Sequence, residues 1–88
     1  MVPYSLGDRV RIHVKPGEHP AAIKEYKAEG TVVAVFNEGD TIGWVHIRTF
    51  SGTYRMRGPS RCDRFVIQKD NAGFVWIPCP TFRFCRKI

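Results

Sequence analysis

Within DRVRIHV (residues 8–14) the chain alternates from Arg9 onward between polar and β-branched apolar side chains. A strand sends successive side chains to opposite faces, so Val10, Ile12 and Val14 share one side and Arg9, Arg11 and His13 the other. A helix would put residues two apart on different faces, so only a half-buried strand uses this pattern. The same reading runs on along the chain. GTVVAVF (30–36) is β-branched and apolar on both sides, as in a strand crossing the middle of a small barrel. TIGWVHIRTF (41–50), TYRMR (53–57) and RFVIQ (64–68) read as three more strands. NEGD (37–40), SG (51–52), GPSRCD (58–63) and KDNAG (69–73) supply turn chemistry between them. The one long connection, VKPGEHPAAIKEYKAEG (14–30), is interrupted by Pro16, Gly17 and Pro20. It has room for one short helix, with Pro20 at its first position, Gly30 past its end, and Ile23 and Tyr26 docked on the sheet.

The chain's 88 residues are 43% apolar, and both charge signs are present, which suits a single globular domain (1–88) and leaves too little chain for two cores. The N-terminus turns charged by residue 8 and has no apolar run of the length a signal peptide or membrane span needs, so a soluble, cytoplasmic protein without membrane contact is expected. The odd count of cysteines, Cys62, Cys79 and Cys85, reads more simply as thiols than as a disulfide framework. Net charge is +6, and all of the excess lies in residues 45–88, an asymmetry that can mark an anion-binding surface.

Five short strands, a long first connection, two short hairpins and a brief twist before the fifth strand resemble the Src-homology-3-like barrel. LGDRVRI (6–12) and GTVVAVF (30–36) are similar to openings of small bacterial barrels of this kind, among them the type II plasmid dihydrofolate reductases. The resemblance implies an all-β, five-stranded SH3-like barrel over about residues 6–68, with a C-terminal hairpin or tail at 69–88. In the reductases a Val-Gln-Ile-Tyr stretch on the fourth strand lines the pore. Here that place holds Tyr54, Arg55, Met56 and Arg57, so the reductase chemistry is not carried over and stands as a third reading.

A two-residue turn at Ser51–Gly52 would set the pairing of its flanking strands. Thr49 would face Tyr54, Ile47 Met56 and Val45 Gly58 on the core side. The outer side would oppose Phe50 to Thr53, Arg48 to Arg55, His46 to Arg57 and Trp44 to Pro59. Directly opposed like charges cost a few tenths to about 1 kcal/mol in an exposed pair, so an offset is needed. Two are open: the long stems splay into water near Asp63 or a loop glutamate, or an anion bridges the arginines. The second reading makes the face a nucleic-acid site, with Arg48, Arg55, Arg57, Arg61, Arg64 and His46 supplying charge and Trp44, beside Phe50, a stacking surface.

No cofactor or catalytic centre is expected. His13, His19 and His46 lie in unrelated elements and no C-x2-C occurs, which argues against a metal site. Cys62, between Arg61 and Asp63, is the best candidate nucleophile, but it opens the fifth strand, where a small buried residue is usual. The tail still carries Phe74, Trp76, Phe82 and Phe84 after the barrel is complete. That apolar surface either seals the barrel's own edge or meets a protein partner or a second copy. The expected function is a small non-catalytic binding module for nucleic acid, or alternatively for protein–protein interaction or oligomerisation.

Overall fold

The computed structural model describes residues 1–49, 52–70 and 73–88; within them the side chains of residues 47–49, 52 and 54 are outside the description. The protein is all-β. Seven strands, β1 (Arg9–Val14), β2 (Tyr26–Phe36), β3 (Thr41–Thr49), β4 (Gly52–Pro59), β5 (Arg64–Lys69), β6 (Phe74–Pro78) and β7 (Cys85–Lys87), form two antiparallel sheets. The larger runs β6-β5-β2-β1-β7, and β3 pairs with β4. Among the described residues these ladders do not close into a barrel.

β1 follows its alternation: Val10, Ile12 and Val14 are fully buried, while Arg9 and Arg11 turn outward to Asp70 and Glu29. β2 starts at Tyr26, earlier than the sequence suggested, and the helix expected in the first connection is absent. With β2 beginning at Tyr26, only residues 21–25 separate Pro20 from the strand, too few for a stable helix. Tyr26, Lys27, Ala28 and Glu29 pair instead with Val14, His13, Ile12 and Arg11. Ile23 is accordingly exposed rather than docked, and Ala22 enters the core in its place.

The apolar run of β2 serves two cores. A bulge at Val33 breaks its register with β5, so Val32 and Val35 pack on one face and Ala34 and Phe36 on the other. The first face holds the main core, including Val10, Ile12, Phe65, Ile67, Val75 and Ile77. On the second face the β3–β4 hairpin lies over β2, β5 and β6, and Ile42, Val45 and Met56 meet Val66 and Trp76.

The tail belongs to the large sheet. β6 pairs with β5 and β7 with β1, so the last residues provide both edge strands. A 3-10 helix (Cys79–Phe84) carries the chain from one edge to the other. Buried Thr81 ties its start by donating to the Pro78 carbonyl at 2.8 Å, and the Phe82 ring lies 5.2 Å from that of Phe65. No helix of the described residues is long and apolar enough to cross a membrane.

Candidate nucleic-acid interface

The β3–β4 pairing differs from the Ser51–Gly52 turn. Gly52 is a strand residue opposite Thr49, Ile47 faces Tyr54, and Val45 faces Met56; Phe50 and Ser51 lie outside the described residues. From Val45 to Thr49 each partner is thus displaced by two positions, which leaves the two faces of that part of the ribbon unchanged. Val45 and Met56 still turn to the second core, and His46, Arg55 and Arg57 are exposed. What changes is the company of the arginines. Arg48 stands opposite Thr53 rather than Arg55, and His46 opposite Arg55 rather than Arg57. The direct arginine–arginine opposition is gone, and with it the argument that an anion must bridge that pair.

A second irregularity sets the position of Trp44. The register shifts between Ile42, opposite Gly58, and Val45, opposite Met56, so Gly43 and Trp44 together oppose Arg57. Trp44 is 63% exposed, and the guanidinium carbons of Arg55 and Arg57 lie 5.1 and 5.7 Å from the centre of its ring. Two cations two residues apart on β4 therefore share one indole, which offsets part of their mutual repulsion. Neither forms an ion pair among the described residues, and five of the eight Asp and Glu side chains are engaged elsewhere. Asp70 takes Arg9 through two bonds of 2.6 and 2.7 Å, Glu29 takes Arg11, Glu25 takes His13, and Asp8 takes Lys87. Asp63 accepts from the Met1 ammonium and from the Glu38 backbone N–H, and these hold its carboxyl below the usual range.

Neither Arg61 nor Arg64 is among the cations at the Trp44 ring. The side chain of Arg48 is outside the description. Arg61 is exposed in the turn before β5 and makes no hydrogen bond or ion pair among the described residues. Arg64 opens β5, where the sequence places a strand, but it is only 9% exposed and so is not the surface cation expected there. Its Nε and Nη1 are buried without a hydrogen-bond partner among the described residues, so these atoms offer nothing to a surface ligand.

Of the residues expected at a protein interface, Trp76 is buried, with its ring stacked 5.3 Å from Phe36, and Phe82 and Phe84 pack on the main core. Phe74 alone of these four is half-exposed, at 51%. It lines a shallow groove of about 410 Å³ with His46, Thr53 and Gly73 beside the hairpin's outer face. The sequence held one unused sign of the Trp44 geometry, since a lone glycine inside a strand pattern, here Gly43, commonly marks a bulge.

All three cysteines are free thiols. Burial pushes Cys85 up to about 12, and its Sγ faces the Thr81 carbonyl. Burial, then hydrogen bonding to Cys62, raises Cys79. Those directions oppose thiolate formation. Among the described residues no three His, Cys, Asp or Glu side chains gather as a metal would require. Comparisons with protein-family models, with curated proteins and with solved structures found no match to this chain.

Proposed function

We propose that this protein is a small binding module that takes nucleic acid on the outer face of the β3–β4 hairpin. The observation that carries the reading is the exposed Trp44 ring shared by Arg55 and Arg57, two guanidiniums with no carboxylate partner among the described residues. Guanidiniums held at an indole can contact phosphates while the indole offers a face to a base. His46 and the Phe74 groove extend the same surface. Recognition by charge and stacking favours single strands, discriminates little between sequences and weakens steeply with salt.

Fluorescence anisotropy with a mixed-sequence single-stranded oligonucleotide tests this across a salt series. Binding should weaken log-linearly with salt, and Arg55→Glu/Arg57→Glu should abolish it at low salt. Trp44→Ala should cost about 1–3 kcal/mol of binding while leaving the fold intact. Binding that ignores both the arginine and the tryptophan substitutions removes the proposal. The groove at Phe74 and the exposed Trp44 also support a protein-binding role. Such a role would show a partner affinity nearly independent of salt.

A further inference from the structure

A second cationic site lies at the other edge of the large sheet. A groove of about 350 Å³ opens where β1, β7 and the 3-10 helix meet. Arg11, Lys15, Arg83 and Arg86 line it, and Glu18 is its one carboxylate among the described residues. Arg11 and Arg86 are directly opposed in the β1–β7 ladder, which places like charges against each other. Arg11 is answered from the β2 side by Glu29 at 2.7 Å, and His13, also in the lining, by Glu25 at 2.9 Å. Arg86, Lys15 and Arg83 have no ion-pair partner among the described residues.

Local contacts pre-position these charges. Glu18 turns one carboxylate oxygen to the Lys15 backbone N–H at 2.9 Å, closing the turn that presents Lys15. The Glu18 carbonyl accepts from Arg83 Nη2 at 3.4 Å, and the Arg83 guanidinium covers the Phe84 ring at 4.7 Å. With that ring covered by Arg83 and packed on the main core, unlike the 63% exposed Trp44, the groove offers charge and guanidinium forks but no free aromatic face for a base. That chemistry suits a compact, doubly charged oxyanion, which guanidiniums bind through paired N–H bonds.

We propose that this groove binds a phosphate group, free or as the terminal phosphate of a small ester, independently of the Trp44 face. The test is calorimetric titration of the full chain with inorganic phosphate and, separately, glycerol 3-phosphate, with ionic strength held constant by sodium chloride. Saturable binding is expected, weakened about tenfold or more in Arg83→Ala/Arg86→Ala and unchanged in Arg55→Glu/Arg57→Glu. A response to the ester alone would assign the site to esterified phosphate, and a response to both to the phosphate group itself. Arg86→Lys, which keeps the charge, guards against a folding defect and should retain part of the affinity. Heats that never saturate, an affinity indifferent to Arg83→Ala/Arg86→Ala, or loss with the β4 arginines would each overturn the proposal.

Discussion

Arg64 places a guanidinium on the same face of β5 as Val66, under the hairpin, with Phe36 and Pro78 as its cross-strand neighbours. Two of its nitrogens are sealed from solvent with no partner among the described residues. A buried cation in that state forfeits its hydration without recovering it in hydrogen bonds, so the side chain works against the fold. Met keeps the length and flexibility of the stem and removes the charge. Arg64→Met should therefore raise the urea midpoint, by about 1–3 kcal/mol in stability, as other replacements of buried ions by apolar groups do. A loss of stability instead would mean that the guanidinium has a partner, such as an enclosed water. The sequence places Arg64 at a strand's start and Arg61 in the turn before it, but not which face of that strand is covered; the hairpin packed over the face Arg64 shares with Val66 separates it from exposed Arg61.

At the scale of elements, glycines that look interchangeable in the sequence have different duties. A Cβ on Gly30 would stand 2.2 Å from the backbone carbonyl oxygen of Gln68, inside the β2–β5 ladder. Nothing there is flexible, so one of two central strands must move. Gly43, in the β3 irregularity, has nothing within 4 Å of the same position. Gly30→Ala should thus cost about 2 kcal/mol or more in a denaturation series, whereas Gly43→Ala should stay within about 0.5 kcal/mol of the parent. Equal effects would mean that β2 and β5 leave room for a Cβ at residue 30. Strand identity was largely legible because periodicity of two and turn residues are local signals, as in Arg9–Val14 and Asn37–Asp40. Register was not. The pairing of β3 with β4 depends on the connection at residues 50–51 and on the extra residue near Trp44, and one misplaced turn moves every partner. The arginine–tryptophan cluster was legible as a face but not as a geometry, since alternation assigns sides and says nothing of bulges. The absent helix has a similar cause: pairing with β1 starts β2 at Tyr26, which leaves too few residues after Pro20 for a stable helix.

Over the whole molecule, the last fifteen residues decide whether there is a two-faced sheet at all. β6 presents Val75 and Ile77 to the main core and Trp76 to the second, all three nearly sealed from solvent, and β3 runs beside it. β7 protects the backbone of β1 at the opposite edge, and the 3-10 helix lays Phe82 and Phe84 on the core between them. An exposed edge on each side is thereby replaced by a short strand, and the apolar tail that looked surplus to a five-stranded barrel, Phe74 excepted, packs inside its own chain. Burying those three β6 side chains contributes roughly 1.5–3 kcal/mol each. Their sum is comparable with the entire net stability of a small domain, about 5–15 kcal/mol. Ending the chain at residue 72 removes them together with both edge strands. The shortened protein should show no cooperative thermal transition by circular dichroism and an expanded or aggregated profile in size-exclusion chromatography. If it stayed compact, cooperative and unchanged in elution beyond its lost mass, β6 and β7 would be accessories, and the core would have to close without Trp76.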